Sequence, residues 1–170
     1  FSASVAAHLA TAPADRILGS LHSLPDQGRL VGAGRLLYPD PDITMRRYLA
    51  EVVRMVEGSD LFQVLAHVDF PRRYWPGGRE RYVEKEYEEE YRAVFRALAG
   101  TGRALEVNTS SPLASVDQVR WFHEEGGEAV SFGSDAHDPS SVGQRFDVAV
   151  DVVEAAGFRP GRDRFDFWRR

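Results

Sequence analysis

The chain has 170 residues, of which 43% are hydrophobic and 11% aromatic, enough for one domain with a buried core. A formal net charge of −5 argues against holding nucleic acid through bulk electrostatics, and no local basic patch takes over that role. With no cysteine there are no disulfides, thiolate ligands or thiol nucleophiles, so any metal would be held by histidine and carboxylate, which suits Zn, Mn or Fe.

No apolar run approaches the ~20 residues of a membrane span, and the N-terminus lacks a basic segment followed by an apolar one, so no membrane partner is expected and the expected location is cytoplasmic. The chain starts at Phe1 rather than Met and reaches its first strand candidate at Arg16, which points to upstream sequence outside it.

In chain order, strand candidates fall at Arg16 to Leu21, Leu61 to Ala66, Arg103 to Val107 and Glu128 to Gly133, separated by helical patterns. That alternation predicts a parallel sheet and an α/β fold. The spacing of Leu49, Val52, Val53 and Val56 predicts a helix over Thr44 to Glu57, with Thr44 as its cap and Gly58 as its stop. A longer helix is predicted over Arg79 to Ala99, with Val83, Tyr87, Tyr91, Val94, Phe95 and Leu98 facing inward. Its acidic run Glu84, Glu86, Glu88, Glu89 and Glu90 reads as a solvated face. Two further packing helices are predicted at Ser115 to Glu125 and Phe146 to Ala156. The tail from Arg159 to Arg170 is expected to wrap back through Phe165, Phe167 and Trp168. There is no internal repeat, linker or low-complexity segment, so residues 1–170 read as a single domain.

Three strand candidates end in metal-ligating residue types. Arg16 to Leu21 runs into His22; Leu61 to Ala66 runs into His67, with Asp69 two residues on; and Glu128 to Gly133 runs into Ser134-Asp135-Ala136-His137. In parallel α/β folds the C-terminal ends of the strands are where binding groups collect. A lone histidine at a strand end is more often structural than a ligand. Three at equivalent strand ends are not independent accidents, so His22, His67, Asp135 and His137 are read as a shared metal centre, with Asp135 and His137 as its catalytic members. His8, in an Ala-rich segment, and His123, inside a helix, read as structural.

Two or three cations held this way acidify a water and clamp the oxygens of a phosphate ester, so phosphoester hydrolysis fits the layout. Arg72 and Arg73, in a loop broken by Pro71 and Pro76, are the candidates for the substrate phosphate. Alternation sends Glu106 and Asn108 to one side of their strand, either as outer partners of the metal ligands or as a buried hydrogen-bond network.

The set Gly19-Ser20-Leu21-His22-Ser23-Leu24, Ala66-His67-Val68-Asp69, Leu105-Glu106-Val107-Asn108-Thr109 and Phe132-Gly133-Ser134-Asp135-Ala136-His137 resembles the polymerase and histidinol phosphatase (PHP) family, most closely its histidinol-phosphatase-like members. The resemblance covers most of the chain. It implies a distorted (β/α)7 barrel, a multinuclear metal centre at the C-terminal rim and hydrolysis of a small phosphorylated substrate such as histidinol phosphate. By motif, His22 and His67 would share one metal, Asp135 would bind a second and His137 a third.

The family's opening His-x-His pair and a following Glu have no counterpart here, so the barrel is expected to be incomplete at its N-terminus and its ligand set partial. Two rivals remain: a nuclease or nucleotide phosphodiesterase on the same scaffold, which the acidic balance disfavours, and a noncatalytic module that binds a metal or partner. The oligomeric state is not legible.

Overall fold

The computed structural model describes residues 2–11, 14–110 and 113–170. Its elements in order are α1 (Ser2–Thr11), β1 (Leu18–Gly19), β2 (Ser23–Asp26), β3 (Arg29–Gly32), α2 (Pro41–Gly58), β4 (Val64–Leu65), α3 (Glu88–Gly100), β5 (Ala104–Asn108), α4 (Val116–Glu124), β6 (Ala129–Gly133), α5 (Phe146–Ala155) and β7 (Trp168–Arg169). Five strands form one sheet in the order β1-β4-β5-β6-β7, the first four parallel and β7 antiparallel at the far edge. β2 and β3 make a separate hairpin.

Sequential parallel strands leave each crossover helix beside the next, and α2 packs on α3, α3 on α4 and α4 on α5. Leu65, Leu105, Val107 and Val130 join the main core with these helices, whereas the alternate residues Val64, Ala104 and Ala129 meet Phe167 from the tail on the other face. β5 is buried at all five positions, as a central parallel strand should be. Glu106 and Asn108 alternate with Leu105 and Val107, which puts both on the face away from the helices.

Several expectations are corrected in detail. β1 and β4 are two-residue strands, although the pairing reaches further: the Gln63 N–H donates to Ile17 O and the Ala66 N–H to Gly19 O, each at 2.9 Å. α2 is capped by Asp40, whose carboxylate accepts the Ile43 N–H, while the Thr44 hydroxyl donates to Leu36 O. The long helix predicted from Arg79 begins only at Glu88. Upstream of it the Tyr82 and Tyr87 rings stack 5.2 Å apart and within 2° of parallel, a pairing that residues five apart cannot make on one helical face. Val83, expected inward, is 51% exposed. Glu84, expected in water, turns in to meet Arg72 and the Ser115 hydroxyl. The hairpin, α1 and β7 were not expected as elements. In the tail, Trp168 and Phe167 pack as predicted, but Phe165 stays 69% exposed.

Candidate active site

Because β1, β4, β5 and β6 are parallel, their C-terminal ends open onto one edge of the sheet. His22 follows β1 by three residues and His67 follows β4 by two. Their Nε2 atoms stand 3.4 Å apart, with ring centroids at 5.0 Å and planes 18° from parallel. Phe70 backs both rings, at 4.4 Å from His22 and 5.5 Å from His67.

The backbone around these groups is under strain. His67 has φ 28° and Asp135 φ 48°, left-handed values that cost a non-glycine residue of order 1–3 kcal/mol and persist where surrounding structure imposes them. At His67 the imposing group is Glu106, whose Oε2 accepts the His67 N–H at 2.8 Å and the Asn108 side-chain amide at 3.1 Å. Asn108 Oδ1 in turn accepts the Ser110 N–H. Burial, reinforced by the nearby Asp135 charge, raises the Glu106 pKa above the ordinary carboxyl value. Room for Glu106 comes from Gly133 of the neighbouring strand: a Cβ there would lie 1.9 Å from Glu106 Oε1.

Burial lowers the pKa of His67, and the nearby Arg73 charge lowers it further. Its Nδ1 is buried with no hydrogen-bond partner among the described residues.

The two arginines of the loop after His67 part company. Arg72 turns inward between Asp69 at 3.4 Å and Glu84 at 3.7 Å, both largely buried, and lies over the Tyr82 ring. Arg73 faces the site, with Nη2 2.5 Å from Asp135 Oδ2. That contact lies off the N–H axis, an ion pair that leaves the same oxygen without a hydrogen bond. His137 is exposed, its Nδ1 2.9 Å from the carbonyl of Asp135. His123 packs edge-on against Phe158 away from the strand ends, and His8 lies exposed in α1.

The fit to a metal can be judged from these distances. Two nitrogens each about 2.0–2.1 Å from a tetrahedral Zn stand about 3.3 Å apart, close to the His22–His67 separation. A lowered His67 pKa suits a ligand, since ligands must be deprotonated. These two residues therefore fit a share of one cation. No group of three His, Asp or Glu side chains among the described residues is arranged to hold an ion, because Asp135 is turned to Arg73 and His137 to its own loop.

Sequence reasoning passed over the wall beside His22, which Arg35, Phe70 and Tyr74 help to form. The run of aromatic and basic residues from Phe70 to Trp75 was the available signal.

No family model matches the chain. It is 25% identical over 164 residues to the histidinol-phosphatase of Lactococcus lactis subsp. lactis, covering 93% of this chain and 61% of that protein. It is 32% identical over 157 residues to the probable histidinol-phosphatase of Deinococcus radiodurans, covering 85% and 56% respectively. The chain is thus similar to histidinol-phosphatases over most of its length. It spans about three fifths of the length of these two relatives. The fold agrees: a crystal structure of histidinol phosphate phosphatase from L. lactis, complexed with Zn, L-histidinol and phosphate, superimposes with a TM-score of 0.76 at 22% identity, covering 92% of this chain and 62% of that one. Among the described residues, no helix is long and apolar enough to cross a membrane.

Proposed function

We propose that residues 1–170 form one domain, the larger C-terminal part of a distorted (β/α)7 barrel, belonging to a metal-assisted phosphomonoesterase that acts on a small ester such as histidinol phosphate. The observation that carries this reading is the approach of His22 and His67 to 3.4 Å at the strand-end rim, with Arg73 and Asp135 beside them. The similarity to histidinol-phosphatases and the Zn, L-histidinol and phosphate held by the L. lactis protein support it.

In this reading His22 and His67 would hold a divalent cation (Zn, Mn or Fe) through their ring nitrogens, with Asp135 and His137 as further ligands of a centre of two or three ions. The bound metal supplies an acidified water and neutralises phosphate charge. Glu106 and Asn108 keep His67 in its strained backbone conformation, so the imidazole is aimed before any ligand arrives. Arg73 exchanges its carboxylate partner for the substrate phosphate, which releases Asp135 to its ligand role. Arg72, buried between two carboxylates, shapes the loop and leaves phosphate binding to Arg73.

The Arg73–Asp135 pair also favours a second reading, a noncatalytic module whose acidic ligand is permanently occupied. Hydrolysis of histidinol phosphate and of a generic phosphomonoester by the complete protein, with bound metal measured by elemental analysis, tests the two. Metal-dependent release of phosphate supports the enzyme; bound metal without turnover supports the module; neither metal nor turnover overturns the enzyme reading.

A further inference from the structure

Thr109 follows β5 directly, is fully buried, and bonds to both ends of the segment that carries Asp135 and His137. Its N–H donates to Gly133 O at 2.8 Å, where the chain leaves β6, and its hydroxyl donates to Gln144 O at 2.7 Å, two residues before α5. The hydroxyl has a single proton, and Gly133 O, at 3.4 Å from it, is the poorer acceptor. One residue therefore closes the base of loop 134–145.

Little else ties this loop down. No residue from 134 to 145 is buried, so apolar packing contributes little to its placement. Internally the loop is stitched to itself: Asp138 Oδ1 accepts the Ser140 N–H at 2.9 Å, the Ser141 hydroxyl donates to Asp138 O at 2.8 Å, and the Gln144 N–H donates to Ser141 O at 3.2 Å. Among the described residues, and apart from bonds continuing into α5, its polar ties to the rest of the molecule are the Thr109 hydroxyl and the Arg73–Asp135 ion pair. In the phosphoesterase reading the substrate phosphate takes Arg73 away. The Thr109 hydroxyl is then the tie that remains.

Backbone strain points the same way. Asp135 at φ 48° and Arg145 at φ 58° hold left-handed conformations just inside the two bonded ends. Non-glycine residues keep such conformations where surrounding structure imposes them, and closure of the loop at Gly133 and Gln144 is a constraint these two share.

We propose that Thr109 is a positioning residue whose hydroxyl closes loop 134–145, so that the Asp135 carboxylate stays at the site once Arg73 has turned to phosphate, a role that rests on the phosphoesterase reading and extends it. The end of β5 thus serves both neighbouring strands: Glu106 and Asn108 hold His67 after β4, and Thr109 holds the Asp135 loop after β6.

The test compares Thr109→Val, which keeps the shape and loses the hydroxyl, with Thr109→Ser, which keeps the hydroxyl, in the complete protein. Hydrogen exchange needs neither metal nor substrate. In Thr109→Val the amides of Ser140, Ser141 and Gln144 should exchange about 2- to 10-fold faster, the worth of one hydrogen bond, and accelerate more than those of α3; Thr109→Ser should restore them. With ethyl phosphate and saturating Zn or Mn, kcat of Thr109→Val should fall about 10- to 100-fold with KM little changed, and Thr109→Ser should recover most of it. A hydroxyl that only stabilises the fold would speed loop and α3 amides alike and leave kcat of the folded variant unchanged. Either result overturns the proposal.

If the wild type hydrolyses no phosphomonoester, the phosphoesterase reading fails instead, and loop exchange with its rescue by serine alone decides whether Thr109 positions the loop. If Thr109→Val does not fold, NMR of the wild type supplies the reading. A Thr109 hydroxyl proton in slow exchange with water, with nuclear Overhauser contacts to Gln144, supports the closure; a freely exchanging hydroxyl overturns it.

Discussion

Arg73 and Asp135 are joined by an ion pair across the mouth of the site, Nη2 to Oδ2 at 2.5 Å, while the adjacent Arg72 points the other way into a buried carboxylate pair. One residue of sequence thus separates a group that can exchange partners from one that cannot. Arg73→Ala should raise KM for phosphomonoesters about 10- to 100-fold, the value of one charge-assisted hydrogen bond, with bound metal retained or increased. Arg72→Ala should instead strand Asp69 and Glu84 and lower stability by about 3 kcal/mol. Steady-state kinetics and urea unfolding of the two variants separate these outcomes, and equal behaviour would dissolve the distinction.

The closeness of Gly133 to Glu106 gives a coupled prediction. Gly133→Ala places a Cβ where Glu106 Oε1 now lies, and overpacking of this kind costs about 1–3 kcal/mol. In a Glu106→Ala background the obstructing carboxylate is gone, so adding Gly133→Ala should cost much less. A double-mutant cycle by chemical denaturation measures this coupling; strict additivity would show that the two residues do not fit together as described.

The pH dependence follows from His67. Its folded pKa lies below the ordinary 6.5 because of burial first and the Arg73 charge second. As pH falls through 6.5 the unfolded chain takes up a proton that the folded chain refuses, so the unfolded state binds more protons and stability declines until the folded pKa is also passed. In metal-free protein, NMR titration of the His67 ring should therefore give a midpoint under 6.5. Arg73→Ala should move that midpoint up and shrink the acid-side loss of stability. A midpoint at or above 6.5 in the wild type would contradict the electrostatic account.

Asp135→Asn should abolish phosphatase activity in the complete protein, by several orders of magnitude, with the fold retained. The amide keeps the shape but supplies no charge to a cation and no charged partner for Arg73. Turnover at saturating metal, with circular dichroism as the folding control, checks this; near-normal turnover would remove Asp135 from the proposed metal centre.

The strand-end logic was legible because it depends only on patterns that tertiary structure preserves. β5 is a continuous buried run, β6 is buried at Ala129 and Val130, and α4 and α5 carry apolar faces, with Ser115 capping α4. Alternation correctly paired Glu106 with Asn108. The hairpin was hidden by Pro25 inside β2 and by a turn at Gln27-Gly28 whose positive φ values have only one glycine to announce them. The segment from Arg79 to Tyr87 looked helical because its residues suit a helix; stacking of Tyr82 on Tyr87, a contact with no sequence period, decided otherwise. Nor does any pattern say which of two adjacent arginines faces a site, since that depends on Glu84 folding in from the following segment.

Calorimetric titration of Zn into metal-free protein reads out whether His22 and His67 together bind a divalent cation. The wild type should bind with His22→Ala and His67→Ala each weakened at least about tenfold, and the double variant should be little worse than either single one, since both nitrogens serve one ion. Zn affinity unchanged in both single variants would contradict the account.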